Sequence, residues 1–386
     1  MPEQPQTSTP PWRPRRLRRA WRRSDGIPER FPEAQELLIE AKEQASNIAY
    51  RVEEKVHAWR EGRARRHRFT PTVVASTGYG TTSWIRVLGR AVMTRERLLD
   101  RLTGEDVLSV RGWRSFLSIP IADAVVTVRI GDTEVEVTAD HGGVIDTAVD
   151  VELAPGWHTI HLSTEGSVPQ KAHVQVVADE QRIGIVSDID DTVMVTALPR
   201  PMLAAWNTFV LDEHARTPTP GMAVLYERLH RQYTGAAFLY LSTGAWNVAP
   251  TLRRFLSRNL YPDGPLLLTD WGPTHERWFR SGMQHKVNSL RRLAEEFPHV
   301  KWILIGDDGQ HDPAIYGEFA RRYPQNVEAV CIRELSVSEA VLAGGLAREP
   351  QPMANGVQWI TGPDGRGLAA QMAGAGLLEP DHVDRC

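Results

Sequence analysis

The second half of the chain alternates between short apolar runs and amphipathic segments. Apolar runs bounded by turn residues predict strands, and apolar positions at three- and four-residue steps predict helices. The predicted strands lie at 183–187, 236–241, 265–268, 301–305 and 327–332. The predicted helices lie at 221–232, 249–258, 284–296 and 313–322. This alternation predicts an α/β fold, with a Rossmann-like parallel sheet and helices on both faces.

In the first half of the chain, apolar residues follow different spacings. Apolar residues from Leu37 to Trp59 recur at helical spacing, which predicts an amphipathic N-terminal helix. Short β-branched runs then predict a small β-sandwich, with a hairpin at Gly131-Asp132. The predicted parts are a basic tail (1–32), a helix with a basic linker (33–69), the sandwich (70–180), the α/β domain (181–345) and a C-terminal extension (346–386).

Composition is that of an ordinary globular protein. Of the 386 residues, 41% are hydrophobic and 24% are charged, and the net charge of -3 gives no overall preference for polyanions. We therefore expect no nucleic-acid partner for the molecule as a whole. Cys331 and Cys386 have no metal-ligand spacing, and no run approaches the ~18 apolar residues of a membrane span. These features predict a cytoplasmic protein.

The N-terminal tail departs from this balance. The stretch from Trp12 to Arg23 carries seven arginines and no acid. Basic residues interleaved with aromatic ones predict contact with an anionic membrane surface, which makes a peripheral location at the inner membrane face a hypothesis. The alternatives are a tail without a partner and a tail that contacts nucleic acid. The candidate membrane-contact residues are Arg15, Arg16, Arg18, Arg19 and Trp21.

Acidic clusters follow two of the predicted parallel strands. Asp188-Ile189-Asp190-Asp191-Thr192 ends the first strand, and Asp307-Asp308 with Asp312 ends the fourth. One such cluster alone can also be explained by a solvated turn or a helix cap. Two clusters at carboxyl ends of one sheet would face each other across one crevice, where such sheets bind ligands. Oxygen ligands of this kind suit a hard cation such as Mg²⁺.

Ser242 follows the second strand, and Lys286 lies in the segment before the fourth. Alone, each has a bland interpretation, as a turn serine and a surface lysine. Together with the acidic clusters, their order along the chain resembles the four-motif signature of the haloacid dehalogenase superfamily. That resemblance implies a Rossmann-like sheet of the haloacid dehalogenase type, and the short spacing between the motifs leaves no room for a large cap.

A closer resemblance covers most of the chain beyond residue 75. The segments SDIDDTV, YLSTGAWN, HKVNSLRRL and LIGDDGQHDPAIY are similar to the catalytic domain of App1-type phosphatidate phosphatases. The upstream segments GYGTTSWIRVLGR and RGWRSFLSIPI resemble the domain that precedes the catalytic one in bacterial members. One departure is visible, because Thr243-Gly244-Ala245 stands where Asn-Ser-Pro is frequent in the family.

The resemblance implies a role for each matching residue. Asp188 would attack phosphorus and form an aspartyl-phosphate, and Asp190 would protonate the leaving alcohol and then activate water. Thr192 would support this loop, Ser242 would bind phosphoryl oxygens, and Lys286 would neutralise charge.

The resemblance also implies a magnesium site. Asp307 would hold Mg²⁺ together with Asp188 and the backbone carbonyl of Asp190. Asp308 and Asp312 are alternative ligands.

The substrate is less well determined by the sequence. The 50 residues between Asp191 and Ser242 leave room for a flap but no cap domain, so a bulky phosphorylated lipid fits an open site. The apolar flap residues Met202, Leu203 and Trp206 suit lipid contact or, equally, core packing. Alternatives are a soluble or protein-borne phosphomonoester, and a membrane-recruited interaction protein with a vestigial phosphatase domain.

Overall fold

The computed structural model describes residues 69–95, 119–195, 217–269, 275–309, 311–343 and 356–380. Several predictions therefore lie outside the described residues: the basic tail, the N-terminal helix and the flap residues Met202, Leu203 and Trp206. The same holds for the candidate membrane-contact residues Arg15, Arg16, Arg18, Arg19 and Trp21. Both sheets described below belong to one compact unit, Val56–Cys386.

The first sheet has eight strands in the order β3-β2-β1-β8-β7-β4-β5, and β6 pairs with β2. β1 pairs with β8 in parallel, and the other neighbours are antiparallel. The predicted hairpin at Gly131-Asp132 is confirmed between β4 and β5. The strands are β1 Phe69–Thr81, β2 Trp84–Arg95, β3 Ile119–Pro120, β4 Val125–Ile130, β5 Thr133–Thr138, β6 Val144–Asp150, β7 Gly156–Thr164 and β8 Gln170–Val177.

The predicted two-sheet sandwich is therefore wrong, since these strands form one mixed sheet. Alternation along each strand correctly marks a buried face, as in β4, where Val126, Val128 and Ile130 are buried. Alternation does not determine which strands pair. The parallel pairing of β1 with β8 joins the first and last strands of the region, and so connects both halves into one sheet.

The second sheet is parallel throughout, in the order β13-β12-β9-β14-β15-β16. The five predicted strands correspond to β9 and β12–β15, while β16 lies in the predicted C-terminal extension and was missed. Two short strands, β10 and β11, pair with each other. β10 lies just before the undescribed residues 196–216, and β11 lies just after them. The strands are β9 Ile183–Asp188, β10 Met194–Val195, β11 Thr217–Pro218, β12 Phe238–Ala245, β13 Leu266–Thr269, β14 Lys301–Asp307, β15 Val327–Arg333 and β16 Gln358–Gly362.

Six α-helices lie among the described residues. Two short 3-10 turns, Trp246–Val248 and Pro324–Asn326, precede α2 and β15. The helices are α1 Met222–Gln232, α2 Ala249–Arg258, α3 His275–Glu296, α4 Asp312–Arg322, α5 Val337–Ala343 and α6 Gly365–Gly374. No helix in the described ranges is long and apolar enough to span a bilayer.

The predicted fold class is also wrong. The described chain is mostly β, with a mixed sheet and a separate parallel sheet, and it does not establish a Rossmann-like fold of the haloacid dehalogenase type. The physical reason is that strand–helix alternation is confined to the second half. In the first half, β1 and β2 extend for 13 and 12 residues and pair with each other directly.

The two sheets share apolar packing. Tyr79, Leu88 and Val144 of the mixed sheet are buried in the same cluster that covers the parallel sheet. Aromatic rings continue the contact, because Trp84 and Tyr79 both pack against Phe297 at the end of α3. The position of α3 is therefore fixed from both sides, and α3 carries Lys286.

Candidate active site

Three buried carboxylates meet at the carboxyl edge of the parallel sheet. Asp188 is the last residue of β9 and Asp307 the last of β14, and these two strands are neighbours. Asp312 begins α4, which returns from β14. One carboxylate oxygen from each residue lies within 4.8 Å of the others, and the residues are only 2–3% exposed. The sheet thus gathers acids that lie more than a hundred residues apart in the chain.

Lys286 of α3 neutralises part of this charge. Its ammonium donates to Asp188 Oδ1 at 2.6 Å and to Asp312 Oδ1 at 2.6 Å. Burial alone would lower the pKa of Lys286, but the two carboxylates raise it above its ordinary value. The lysine is therefore cationic at neutral pH, and it fixes Asp188 relative to Asp312.

The site still has an excess of negative charge. Burial raises the pKa of Asp188 well above its usual range, although Lys286 opposes the shift. Burial, with Asp312 and Asp191 nearby, likewise raises the pKa of Asp307. Asp312 Oδ2 is buried and accepts no hydrogen bond from the described residues. Clustered, incompletely paired oxygen ligands fit a divalent hard cation, which would stabilise their ionised forms.

Close backbone packing at Gly306 makes this arrangement possible. A Cβ on Gly306 would lie 2.5 Å from Asp312 Oδ2. Any larger residue before Asp307 would therefore displace the carboxylate of Asp312. Gly309 then donates its N–H to Asp307 Oδ1 at 2.7 Å, which orients the second carboxylate.

Asp190 and Ser242 form a second polar contact beside the acidic cluster. The Ser242 hydroxyl donates to Asp190 Oδ2 at 3.2 Å and accepts the N–H of Gly244 at 2.9 Å. The contact follows from strand pairing, since Leu241 of β12 lies opposite Asp188 of β9. Ser242 thus holds the carboxyl of Asp190 close to the end of β9, which carries Asp188.

The loop after Asp188 is tightly turned. Asp191 has a positive φ of 56°, which a residue with a side chain adopts rarely, and its N–H donates to Met194 O at 2.8 Å. Arg333 donates from Nη1 to Asp191 O at 2.8 Å. The Thr192 side chain is fully buried, and its hydroxyl has no hydrogen-bond partner among the described residues. These contacts direct Asp188 and Asp190 toward the carboxyl edge.

The structure brings Asp188, Lys286, Asp307 and Asp312 together, whereas Asp308 has a different partner. Asp308 accepts the N–H of Leu335 at 2.9 Å, so its carboxylate supports the loop after β15. Asp312, proposed only as an alternative ligand, contacts Lys286 directly. Arg333 was missed, although a lone arginine ending the apolar run VEAVCIR is a usable signal. The catalytic and ligand roles of all these residues stay predictions.

Comparison with known proteins shows a family resemblance over part of the chain. Residues 183–334 match the model of the phosphatidate phosphatase APP1 catalytic domain. Phosphatidate phosphatase APP1 of Saccharomyces cerevisiae is 26% identical over 246 residues, which are 59% of this chain and 41% of that protein. An uncharacterized protein of Schizosaccharomyces pombe, C29B5.04c, is 26% identical over 160 residues, which are 41% of this chain and 26% of that protein.

Residues 183–334 are therefore similar to an APP1-type catalytic domain. The App1-type resemblance of the segments SDIDDTV, YLSTGAWN, HKVNSLRRL and LIGDDGQHDPAIY, which lie in this range, is confirmed. The chain spans less than half the length of either relative. Among solved structures, a carbohydrate acetylesterase from Xanthomonas citri, XAC1771, is 8% identical, with 71% of this chain and 73% of that chain covered. Its TM-score is 0.27, which is too low to support an argument about fold.

Proposed function

We propose that this protein is a metal-dependent phosphoric monoester hydrolase whose substrate is phosphatidate, with diacylglycerol as product. The observation that carries the proposal is the buried cluster of Asp188, Lys286, Asp307 and Asp312 inside a domain of the APP1 family. A buried lysine between carboxylates at the carboxyl edge of a parallel sheet supports phosphoryl chemistry there.

Asp188 is the proposed nucleophile. Its carboxylate attacks phosphorus, the bond between phosphorus and the lipid oxygen breaks, and an aspartyl-phosphate forms. Lys286 opposes the repulsion between this carboxylate and the phosphate dianion, because its ammonium already contacts Asp188 Oδ1. Covalent catalysis of this kind divides one difficult displacement into two easier ones.

Asp190 is the proposed acid and base. In its protonated form it gives a proton to the departing diacylglycerol oxygen. As a carboxylate it then takes a proton from the water that attacks the aspartyl-phosphate, which regenerates Asp188 and releases phosphate. The hydroxyl of Ser242 holds Asp190 Oδ2 before substrate binds, and it can turn to a phosphoryl oxygen afterwards.

Asp188, Asp307 and Asp312 are the residues that would hold a divalent cation, and Mg²⁺ is the proposed ion. When bound, such an ion neutralises charge on phosphoryl oxygens. The clustered oxygens and the unpaired Asp312 Oδ2 support this assignment. The predicted contribution of the Asp190 carbonyl stays a prediction.

Phosphatidate is proposed as the substrate because the S. cerevisiae relative is named a phosphatidate phosphatase. The test compares phosphate release from phosphatidate in mixed micelles with release from p-nitrophenyl phosphate, each with Mg²⁺ and with chelator. Asp188→Asn removes the nucleophile, and Asp308→Asn is the matched control, since Asp308 faces Leu335. We expect release from both esters by the wild type and by Asp308→Asn, and none by Asp188→Asn.

Each other outcome has a definite meaning. Release from p-nitrophenyl phosphate alone would favour a soluble or protein-borne phosphomonoester as the substrate. Metal-independent release, or full activity of Asp188→Asn, would contradict the mechanism. Vesicle co-sedimentation of the chain with and without residues 1–32 tests the predicted membrane contact of the basic tail.

A further inference from the structure

Arg333 connects the catalytic loop to the C-terminal part of the fold. It is the last residue of β15 and is only 4% exposed. Its guanidinium donates to Asp191 O at 2.8 Å, to Glu339 Oε1 at 2.6 Å and to Pro363 O at 3.3 Å. The planar guanidinium therefore donates to acceptors on three separate segments. A lysine ammonium lacks this planar fork and could not reach all three together.

One of these acceptors belongs to a strained backbone. Asp191 has φ 56°, a conformation that residues with a side chain adopt at an energetic cost and keep only where their neighbours stabilise it. The turn lies between Asp190 and Thr192, so its geometry sets where the carboxyl of Asp190 lies. The Arg333 hydrogen bond to Asp191 O opposes relaxation of this turn.

The backbone of Arg333 also contacts the other acidic strand end. Its carbonyl accepts the N–H of Asp308 at 3.0 Å, next to Asp307. The side chain of Asp308 in turn accepts the N–H of Leu335 at 2.9 Å. One residue therefore touches both loops that supply carboxylates to the candidate active site. The pairing of β14 with β15, which places Asp307 opposite Arg333, produces this position.

We propose that Arg333 is a positioning residue that holds the strained turn at Asp191 and thereby keeps Asp190 in place to transfer protons. The Arg333 side chain donates to the backbone oxygens of Asp191 and Pro363 and to the carboxylate of Glu339, so it acts on Asp190 through the turn at Asp191. Its effect on turnover rests on the proposed function, whereas its effect on the loop does not.

A purely structural role is the competing explanation, because any buried arginine that loses its side chain destabilises a fold. Arg253 supplies the matched control. Arg253 is half-buried and, like Arg333, donates to a backbone carbonyl, Ala75 O at 3.1 Å, but that carbonyl lies in the mixed sheet. Arg253→Ala and Arg333→Ala each remove such a contact, and only the second removes it from the catalytic loop.

The experiment has two arms on the full chain. Hydrogen–deuterium exchange of the peptide covering 188–195 reports the loop without requiring activity. Steady-state kinetics with p-nitrophenyl phosphate and Mg²⁺ reports turnover per folded molecule. In Arg333→Ala we expect faster exchange in this peptide and a loss of about 100-fold in kcat with KM little changed, because a small misplacement of a reacting group is enough for such a loss.

Two further variants refine the result. Glu339→Gln leaves the contact with Asp191 in place, and we expect a smaller loss of kcat than in Arg333→Ala. If Arg333→Ala fails to fold, Arg333→Lys replaces it in both arms. We then expect peptide 188–195 to exchange at a rate between the wild-type rate and that of an unsupported loop, because the ammonium can keep one contact. Arg253→Ala is expected to leave exchange in 188–195 and kcat at wild-type values.

The proposal is overturned if peptide 188–195 exchanges at the wild-type rate in the Arg333 variant that folds. It is also overturned if Arg253→Ala accelerates exchange in that peptide as much as the Arg333 variant does. If the wild type releases no phosphate from any ester, the proposed function fails, and the exchange arm alone decides whether Arg333 holds the loop.

Discussion

At the scale of single residues, the candidate site depends on one buried cation. Lys286 lies between Asp188 and Asp312 with both contacts at 2.6 Å, and all three side chains are at most 7% exposed. A buried ion pair adds little over an apolar replacement of both partners, but removing one partner leaves an uncompensated charge. The carboxylates therefore depend on Lys286 when no metal is bound.

Lys286→Met is expected to lower the free energy of unfolding in chelator by about 3–5 kcal/mol, since it leaves two buried carboxylates without their cation. The measurement is urea unfolding near neutral pH. The control is Lys301→Met, which breaks an exposed pair with Glu328 and should cost only about 0–1 kcal/mol. Equal losses in the two variants would contradict the role assigned to Lys286.

The same carboxylates determine a pH dependence. Burial raises the pKa of both Asp188 and Asp307 in the folded protein, so the unfolded chain releases these protons first. In chelator, the contribution of these two groups to stability is fully present below about pH 4, the ordinary Asp range, and is lost as the pH rises through their raised pKa values. Glu339 behaves in the opposite way, because hydrogen bonds from Arg333 and Ser336 lower its pKa against the effect of burial. Its contribution to stability is lost only as the pH falls through that lowered pKa.

We therefore expect the metal-free protein to lose stability as the pH rises above about 4, the ordinary Asp range, and Mg²⁺ to reduce that loss by binding the ionised carboxylates. Urea unfolding at several pH values, with chelator and with Mg²⁺, measures both slopes. Asp307→Asn should reduce the chelator slope, because it removes one of the two groups. A metal-free protein that becomes more stable over this range would refute the assignment.

At the scale of elements, α3 links the catalytic lysine to the mixed sheet. Asp146 of β6 accepts from Arg86 of β2 at 2.7 Å and from Arg292 of α3 at 2.6 Å. Arg86 also donates through Nε to Glu296 of α3 at 2.9 Å. Arg292 and Arg86 lower the pKa of Asp146 against the effect of burial, so this carboxylate is ionised at neutral pH.

Asp146→Asn is expected to cost about 1 kcal/mol of stability, since the bridge between elements is half-buried and partly screened. Glu318→Gln is the matched control. Glu318 also binds two arginines, Arg321 and Arg322, but all three lie exposed on α4, and the expected cost is within about 0.5 kcal/mol. Chemical denaturation measures both, and a larger loss in Glu318→Gln would contradict the bridging role.

At the scale of the whole molecule, the two sheets are joined by a common apolar cluster. Tyr79 is fully buried, and its hydroxyl donates to Glu296 Oε2 at 2.8 Å. Phe297 packs against Tyr79, Trp84 and Trp302, which spans both sheets. The predicted boundary near residue 180, placed where strand–helix alternation begins, stays a prediction, and the sheets on its two sides share this cluster.

We expect the described parts of both sheets to unfold in one cooperative transition, with calorimetric and van't Hoff enthalpies equal. A chain that begins at residue 182 should lose this cooperative transition, because Phe297 and Trp302 would be exposed to water. Differential scanning calorimetry of both chains is the measurement. Two resolved transitions in the full chain, or a stable shortened chain, would show that the sheets are independent.

The local sequence determined much of the second half. Apolar runs such as IGIVS and KWILIG specify buried strands because they have no polar face, and the acids that follow them mark strand ends. Asp188, Asp307, Ser242 and Lys286 could be selected on this basis, and family motifs added their proposed roles. The sequence also specified the turn at Gly131-Asp132, where the glycine adopts φ 58°.

Only the tertiary structure decided the remaining features, because they depend on pairing between distant segments. The parallel pairing of β1 with β8 makes the first region one mixed sheet, and no local period encodes that choice. Pairing of β15 with β14 brings Arg333 beside the acidic loops, and the return of α4 brings Asp312 to Lys286. Local sequence fixes which residues can be buried, while packing between elements fixes which of them meet.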